Sequence, residues 1–247
     1  MPGRKKPKNN REVQDTSCRG SGGVPQPLKS PKTGGFRGLI NNASAPSKEA
    51  NDFVGYEVLI DFMEKRRLQK LAGDIIEIGA FMGGGTVKLA KFAVKYGKKV
   101  YAIDIFDPRS DKTPDKNGVK MCDIYEAFLQ GRSQLEVYQQ ATKGFDNIVT
   151  INKDSKRVRF PRGQRFVLGF IDGNHQADYV INDFNLIWRH LVPGGSVGFH
   201  DYNFDLPEVT DAIDGLIYKH NDEISEVHEI KQSHIVIFTR KKGLPGN

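Results

Sequence analysis

The stretch that decides the fold is GDIIEIGAFMGGGTVKLAKF, residues 73–92. It begins with a short β-branched run that ends in Gly79, passes through a glycine turn at residues 83–85, and continues with the apolar spacing of a helix. A buried strand, a tight turn and a helix in this order form the opening unit of many α/β folds. So many glycines indicate that the backbone approaches another group very closely.

Strands and helices alternate along most of the remaining chain. The pattern predicts helices at about 51–71, 84–96, 177–191 and 206–219, and strands at 75–79, 98–104, 147–155, 165–173 and 196–201. The segments ISEVHEI and SHIVIFTR predict two final strands that form an antiparallel hairpin through Lys231 and Gln232. We therefore predict an α/β fold with a doubly wound, seven-stranded, mostly parallel sheet of the Rossmann-like type. Residues 193–195, Pro-Gly-Gly, are predicted to stop a helix and turn into the next strand.

The positive charge of the chain is concentrated at its N-terminal end. Residues 1–40 carry nine Lys and Arg against two Asp and Glu, which accounts for the whole formal net charge of +7. This segment is rich in Gly, Pro and Ser and has almost no periodic apolar residues, so it cannot bury enough surface to fold. We predict a disordered basic arm at 1–45 and one domain at 46–247. Nucleic acid is an expected partner only through this arm.

The sequence shows no feature of an exported or membrane-embedded protein. No apolar run follows the N-terminal charges, and no window is long enough for a membrane span. The two cysteines, Cys18 and Cys122, form neither a disulfide framework nor a clustered metal site. A cytoplasmic protein is the expectation, and a homo-oligomer is left open.

Residues 106–146 separate two predicted strands by more than one helix requires. The part up to Gly118 is predicted as a mobile loop, and residues 121–140 as one or two short helices. Long insertions at the ligand end of a sheet often form lids or substrate walls, and a plain surface loop is the alternative.

Acidic and histidine side chains follow several predicted strands. Parallel strands end at the same edge of their sheet, where ligands of such folds bind. The residues at these strand ends lie at 77–85, 104, 154, 172–175 and 200–203. We predict that they share one rim.

The glycine turn matches neither the G-x-G-x-x-G nor the G-x-x-x-x-G-K-[ST] nucleotide motif. It has the spacing E-x-G-x-x-x-G, at Glu77, Gly79 and Gly83. That spacing resembles the first motif of class I S-adenosylmethionine-dependent methyltransferases, in which the loop backbone passes under the methionine and ribose part of the cofactor. The alternative is that the glycines only serve a tight turn.

A second stretch, FIDGNHQADYVINDFNLIWRHLVPGGSVGFHDY at 170–202, carries the stronger resemblance. Its D-x-x-H-x-x-x-Y and L-x-P-G-G patterns, and a strand that ends in an acid and Tyr, resemble the sugar and small-molecule O-methyltransferases that include the macrocin O-methyltransferase group. The likeness covers roughly residues 70–240 without the arm and the insertion. On the helix after the fourth strand, Tyr179, Phe184 and Trp188 have the spacing of a buried face.

The resemblance implies a set of residues that bind S-adenosylmethionine. Asp104 would accept the ribose hydroxyls, and Asp154 with Ser155 would hold the adenine amine. The implied cofactor-binding set is Glu77, Gly79, Ala80, Phe81, Gly83, Gly84, Asp104, Ile105, Asp154, Ser155 and Asp172. A helix cap at Asp104 and a simple turn at Asp154 and Ser155 are the alternatives.

The strand ends also offer material for proton transfer and for a cation. The resemblance implies His175 as the base, together with Asp172, although His175 can instead cap the following helix. Asp172, Asp201 and His200 are the predicted ligands of Mg²⁺. The related metal-dependent enzymes carry a further Asp or Asn beside the second acid. Here His200 and Tyr202 flank Asp201, with Asn203 one step beyond, so a site without metal is the alternative.

The leading functional hypothesis is an S-adenosylmethionine-dependent methyltransferase (EC 2.1.1.-) that methylates a hydroxyl of a small molecule, such as a sugar or glycoside, with help from Mg²⁺. One alternative is an RNA or other N-methyltransferase recruited by the arm, although the Asn-or-Asp-Pro-Pro-aromatic motif is missing. A non-catalytic cofactor- or glycan-binding module and a hydroxylase related to the cephalosporin-tailoring enzymes are the others. No motif identifies the acceptor.

Overall fold

A computed structural model describes residues 54–243, and in this part of the chain seven strands form a single sheet in the order β3-β2-β1-β4-β5-β7-β6. The strands are β1 Asp74–Ile78, β2 Val100–Asp104, β3 Ile148–Asn152, β4 Phe166–Ile171, β5 Leu191–Phe199, β6 Ile224–Ile230 and β7 Ile235–Arg240. Strands β1 to β5 pair in parallel, and β7 pairs antiparallel with both β5 and β6. The predicted fold class is confirmed, including the final hairpin.

Six α-helices accompany the sheet within residues 54–243. They are α1 Glu57–Arg66, α2 Gly84–Ala93, α3 Met121–Leu129, α4 Gln134–Thr142, α5 Ala177–Trp188 and α6 Pro207–Lys219. The inserted segment thus contains two short helices, α3 and α4. The predicted arm at 1–45, and the predicted start of the first helix at 51–53, lie outside the described residues.

Helices cover both faces of the sheet, as a doubly wound fold requires. Successive residues of a strand point to opposite faces. Ile76 of β1 packs in a core cluster with Phe184 of α5 and Ile213 of α6, whereas its neighbour Ile75 packs with residues of α1 and α2. Strand β4, at the centre, is buried at every position. Burial on both faces explains why its sequence is an uninterrupted apolar run instead of an alternating one.

The prediction for residues 193–195 was wrong. Helix α5 ends at Trp188, and β5 begins at Leu191 and contains the Pro-Gly-Gly segment. Leu191 of β5 pairs with Phe166 of β4, and Ser196 of β5 pairs with Leu168 of β4. Between these two pairs β5 has several residues where β4 has one. A bulge of this kind tolerates Pro and uses a glycine at positive φ, here Gly194 at +80°. The segment is therefore an irregular strand start and not a helix stop.

No helix in the described part of the chain combines the length and the apolar character needed to cross a membrane.

Candidate functional site

A cleft opens at the carboxyl ends of β1, β2, β4 and β5. It brings together nearly all of the residues predicted for the site. The predicted residues that line it are Gly79, Ala80, Phe81, Gly84, Asp104, Ile105, Asp154, Ser155, Asp172, His175, His200 and Asp201. Glu77 and Gly83 are not part of the lining. The insertion forms one wall of the cleft through residues of its loop and of α3, among them Asp111, Tyr125 and Phe128.

The glycines of the turn are explained by close approaches within the protein itself. A Cβ on Gly79, whose φ is +93°, would overlap the backbone carbonyl of Asp172 at the end of the neighbouring strand. A Cβ on Gly85 would overlap the ring of Tyr56. At Gly83, φ is +86° and the Tyr138 side chain would lie 3.1 Å away. The tight-turn explanation therefore accounts for these glycines without a ligand, and cofactor contacts at the turn stay a prediction.

Glu77 is a buried anchor beneath the turn and does not face the cleft. Its side chain is fully buried and accepts a hydrogen bond from the Thr86 hydroxyl in the first turns of α2. Burial raises the pKa of Glu77 to about 8, against the lowering effect of that hydrogen bond. Glu77 thus connects β1 to α2. Its side chain does not reach the cleft, where a cofactor would bind.

The burial of Glu77 predicts a specific dependence of stability on pH. The unfolded chain releases this proton near pH 4.5 and the folded chain only near pH 8. The stability that Glu77 contributes is therefore complete below pH 4.5 and is lost as the pH rises through 8. We expect Glu77→Gln to remove this loss, of the order of 3–5 kcal/mol.

The measurement is urea unfolding of both proteins between pH 5 and pH 9. The free energy of unfolding of Glu77→Gln minus that of the parent protein should increase between pH 5 and pH 8 and then level off. A constant difference would contradict the assignment, because all other titrating groups are shared by the two proteins.

Asp104 holds two loops at the rim of the cleft by accepting hydrogen bonds from their backbone amides. One of its oxygens accepts a hydrogen bond of 2.8 Å from the Phe81 amide, and the other accepts one of 2.6 Å from the Phe106 amide. Both donors have positive φ, +45° and +52°, an uncommon conformation for a residue with a side chain. Burial raises the pKa of Asp104 to about 6, although the amide hydrogen bonds act in the opposite direction. Asp104 therefore holds the glycine turn in place and presents a carboxylate to the cleft.

The far end of the cleft is a small polar pocket between β3 and α5. Asp154 accepts hydrogen bonds from the Lys156 amide at 2.9 Å and from the Tyr179 hydroxyl at 3.4 Å. Lys156 places its ammonium 3.6 Å from the centre of the Tyr179 ring. Tyr179 lines the cleft, so its prediction as a core residue was wrong. Sequence reasoning gave no site role to Asp183, which is buried here and whose pKa burial raises to about 6.

His175 lies between two carboxylates. Its Nδ1 is 2.6 Å from Asp111 Oδ2 and its Nε2 is 2.8 Å from Asp201 Oδ2. The N-cap residue of α5 is Gln176, so the helix-capping alternative for His175 does not hold. Burial alone would lower the pKa of His175, but the two carboxylates outweigh it and raise the pKa to about 10. Without a bound cation, both ring nitrogens therefore carry protons at neutral pH, and the ring donates a hydrogen bond to each carboxylate.

His200 forms the second link of the same cluster. Its Nδ1 lies 3.1 Å from both Asp172 Oδ1 and Asp201 Oδ1. Burial would lower the pKa of His200, but the two carboxylates raise it well above its ordinary value. The contact with Asp201 Oδ1 has the distance of an ion pair without the angles of a hydrogen bond, so this buried oxygen has no hydrogen-bond partner among residues 54–243. Asp201 itself, two residues after the end of β5, has a φ of +60°.

Three of these side chains can point donor atoms at a common centre. Asp172, His175 and Asp201 each have one ligand atom within 4.8 Å of the others. The carboxylates of Asp172 and Asp201 therefore approach each other at this rim. His175 stands in this group where the sequence pattern predicts His200, which instead forms ion pairs with both acids.

Sequence reasoning missed two residues of the insertion. Asp111 is 3% exposed and reaches His175 from a position 64 residues earlier in the chain. Tyr125 packs against Phe81 with a ring distance of 5.3 Å and lines the cleft. Burial raises the pKa of Tyr125 well above its ordinary value. Neither residue belongs to a recognisable motif, and the only signal was that the insertion lies at the ligand end of the sheet.

Comparison with known proteins identifies the family. A family model described as a methyltransferase domain matches residues 76–202, which are 127 of the 247 residues. The chain belongs to this methyltransferase family. The matched region runs from β1 to just past β5 and so contains the strand ends that build the cleft. The resemblance to class I S-adenosylmethionine-dependent methyltransferases is confirmed.

A curated relative matches over a short segment. The chain is 42% identical over 50 residues to the uncharacterized protein R132 of Acanthamoeba polyphaga mimivirus. This match covers 19% of the chain and 23% of that protein. The chain therefore matches less than a quarter of the length of this relative.

Solved structures share the fold of this methyltransferase. The O-methyltransferase NovP is 15% identical with a TM-score of 0.56, over 76% of this chain and 79% of that one. CalS11, a TDP-rhamnose 3'-O-methyltransferase of calicheamicin biosynthesis, is 15% identical with a TM-score of 0.53, over 83% and 90%. MycE of the mycinamycin pathway, in complex with Mg, SAH and mycinamycin VI, is 16% identical with a TM-score of 0.50, over 86% of this chain and 55% of that one. At these identities the likeness concerns the fold alone.

Proposed function

We propose that this methyltransferase uses S-adenosylmethionine to methylate a hydroxyl of a small molecule, a sugar or glycoside, with the help of a divalent cation. The observation that carries the proposal is the single cleft that joins the glycine turn and Asp104 to the cluster around Asp172. Donor-binding groups and groups that can manage a proton therefore lie side by side, as transfer between two bound molecules requires.

The donor would occupy the part of the cleft between the glycine turn and the Tyr179 pocket. S-adenosylmethionine supplies a methyl group that its sulfonium has already activated for displacement. In this proposal Asp104 accepts the ribose hydroxyls, and Ser155 with Asp154 binds the adenine. The Gly79–Phe81 backbone follows the methionine part. Oδ1 of Asp104 accepts hydrogen bonds from the Phe106 amide and from Gln134 Nε2, whereas Oδ2 accepts one from the Phe81 amide and keeps a second lone pair for the ribose.

Asp172 is the group that we propose to accept the proton of the acceptor hydroxyl. Its Oδ1 pairs with His200, whereas its Oδ2 has no protein partner among the described residues. Oδ2 keeps two lone pairs, so it can bind a cation and also accept the proton of a hydroxyl that is bound beside it. His175, which sequence reasoning paired with Asp172 as the base, already carries a proton on each nitrogen in this arrangement. We therefore assign the proton transfer to Asp172.

The donor atoms at the rim fit a divalent cation. The buried Oδ1 of Asp201 has no hydrogen-bond partner in the described part of the chain, and Asp172, His175 and Asp201 converge within 4.8 Å. Asp172, His175 and Asp201 would hold the ion, which when bound would lower the pKa of an acceptor hydroxyl and anchor it.

The acceptor would enter along the wall that the insertion forms. Phe81 and Tyr125 pack together, and the ring centres of Phe128 and Phe81 are 6.5 Å apart, so aromatic side chains line this part of the cleft. The acids of the strand ends line the same cleft. A cleft lined by aromatic rings and carboxylates suits a hydroxylated ring, whose flat face packs on aromatic side chains while its hydroxyls reach polar groups. The activity that the name of CalS11 states, 3'-O-methylation of TDP-rhamnose, supports this class of acceptor.

Titration calorimetry with S-adenosylhomocysteine tests donor binding. We expect Asp104→Ala to weaken the affinity at least about tenfold, because it removes the ribose acceptor and two bonds that hold the turn. Asp222→Ala, at an exposed position, is the matched control and should bind as the parent protein does. Unchanged affinity in Asp104→Ala would contradict the proposal.

Turnover with labelled S-adenosylmethionine separates the alternatives. Nucleotide sugars and glycosides should accept the label in the presence of a divalent cation. Transfer to RNA that disappears when residues 1–45 are removed would instead favour the N-methyltransferase alternative. Donor binding without transfer to any acceptor would favour a non-catalytic module.

A further inference from the structure

We propose that the cation site is a mixed nitrogen and oxygen site, in which His175 is a metal ligand and Asp111 is the carboxylate that holds it. Such a site selects a first-row transition metal ion, such as Mn²⁺ or Co²⁺, over Mg²⁺. The inference rests on the proposed function only for the presence of a cation in the cleft. Metal binding itself is measurable without methyl transfer.

Asp111 fixes the orientation of the His175 ring. Its Oδ2 lies 2.6 Å from Nδ1 and also accepts a hydrogen bond of 3.2 Å from the His175 backbone amide. Both side chains are buried. A metal-bound histidine usually donates its other ring N–H to a carboxylate, which sets the ring orientation and strengthens the ligand. With Nδ1 held by Asp111, Nε2 is the nitrogen that faces Asp172 and Asp201.

The spacing of the donor atoms agrees with a small ion. His175 Nε2 and Asp201 Oδ2 are 2.8 Å apart. Two ligands at adjacent positions of one ion, each bonded at about 2.1 Å, are about 3.0 Å apart. Bonds to Ca²⁺, at about 2.3–2.6 Å, would need a separation of about 3.3–3.7 Å. In the structure this contact is a hydrogen bond, and its length is compatible with an ion of the size of Mg²⁺, Mn²⁺ or Co²⁺ that displaces the shared proton, but it is too short for Ca²⁺.

The chemistry of the donors then decides between these ions. Mg²⁺ prefers oxygen ligands, whereas imidazole nitrogen suits first-row transition metals and strengthens their binding. One imidazole and two carboxylates leave coordination positions for water and for an acceptor oxygen. In the metal-dependent enzymes that the sequence resembles, the implied ligands are an acid at each of the two strand ends and a further Asp or Asn, all of which bind through oxygen. Here Asp111, from an insertion outside that resemblance, turns His175 into a further ligand.

Oδ1 of Asp201, which forms an ion pair with His200 but no hydrogen bond, supplies further support. Asp201 is 2% exposed, and its Oδ1 has no hydrogen-bond partner among residues 54–243. An unpaired buried carboxylate oxygen is costly unless a cation or a donor satisfies it. His200 stands 3.1 Å away without the angles of a hydrogen bond. A metal ion bound to Asp201 would satisfy this oxygen through its own charge.

The test uses the metal-free full-length protein. Calorimetric titrations with MnCl₂, CoCl₂ and MgCl₂ give the affinities, and pulsed electron paramagnetic resonance of the Mn²⁺ complex reports a directly bound nitrogen. We expect Mn²⁺ and Co²⁺ to bind at least about tenfold more tightly than Mg²⁺, with nitrogen coupling in the Mn²⁺ spectrum. His175→Gln should abolish the coupling and weaken Mn²⁺ far more than Mg²⁺. Asp111→Asn should keep the coupling and weaken Mn²⁺ about 10–100-fold.

Two histidine variants serve as controls. His200→Gln removes a histidine of the same cluster that lies outside the donor group, so it should keep the nitrogen coupling. His228→Gln removes an exposed histidine of β6 and should change nothing. S-adenosylhomocysteine binding by each variant reports whether the cleft is intact.

Three results would overturn the inference: Mg²⁺ binding as tightly as Mn²⁺, no nitrogen coupling in the parent protein, or coupling that survives in His175→Gln. Failure of the proposed function would look different. In that case the metal would bind with nitrogen coupling while S-adenosylhomocysteine would not bind.

Discussion

Replacing Asp172 by Asn is expected to lower the rate of methyl transfer by about 10²–10⁴-fold, with little change in the affinity for S-adenosylhomocysteine. The amide keeps the shape of the side chain but can neither take the acceptor proton nor supply a negative oxygen to a cation. Oδ1 of Asp172 already pairs with His200 Nδ1 at a distance of 3.1 Å, so Oδ2 is the oxygen that faces the cleft. Loss of rate with retained donor binding would separate a chemical role from a structural one.

Single-turnover assays at saturating donor measure this effect. Asp222→Asn, at an exposed position, controls for the loss of a carboxylate as such and should react at the parent rate. If Asp172→Asn kept more than about a tenth of the parent rate, the proton would have another acceptor and the proposed chemistry would be wrong.

Replacing Gly79 by Ala is expected to be the most destabilising of the glycine substitutions, with a loss of about 4 kcal/mol or more or no folded protein. Two costs add at this position. A side chain at a φ of +93° is strained, and the new Cβ would overlap the carbonyl of Asp172 on β4. That carbonyl is backbone and cannot rotate away, so β1 and β4 would have to separate at the rim.

Two other glycines separate these costs. Gly97 has a φ of +65°, and a Cβ added there would meet nothing within 4 Å, so Gly97→Ala should cost only about 1–2 kcal/mol of conformational strain. Gly215 lies in α6 with open space around it, so Gly215→Ala should stabilise the protein by about 0.5–1 kcal/mol. Urea unfolding of the three variants gives the ranking. A loss for Gly79→Ala no larger than that for Gly97→Ala would show that the close approach to β4 does not exist.

Local pattern was enough to predict most of the fold. Apolar runs such as that of β4, and amphipathic helices between them, specify a parallel sheet covered on both faces. The prediction failed at residues 193–195, where Pro-Gly-Gly has the composition of a turn. The choice between a turn and a bulged strand depends on the pairing of Leu191 with Phe166 and of Ser196 with Leu168. That pairing is a tertiary contact that no local window contains.

The residues of the site could be predicted as far as they follow strands. The carboxyl ends of parallel strands meet at one edge, so Asp104, Asp172 and Asp201 could be assigned to a common rim before any coordinates. The protonation states of the residues in the site could not be predicted from the sequence. The protonation of His175 depends on Asp111, which lies 64 residues earlier in an insertion without a motif. The same contact changes the role that the pattern suggests for His175.

The glycine turn was located correctly from the sequence, but the sequence left open whether a cofactor or a tight turn requires its glycines. A resemblance to a cofactor loop and a close contact between strands predict the same residues. Only the positions of the Asp172 carbonyl and of the Tyr56 ring show that the protein itself excludes a Cβ at Gly79 and Gly85.

The central claim is that donor binding and proton transfer share the cleft at the carboxyl edge of the sheet. A crystal structure of the complex with S-adenosylhomocysteine tests it most directly. We predict that the ribose hydroxyls of the ligand contact Asp104 and that its sulfur atom faces Asp172. A ligand bound outside this cleft, or one whose sulfur faces away from Asp172, would contradict the account.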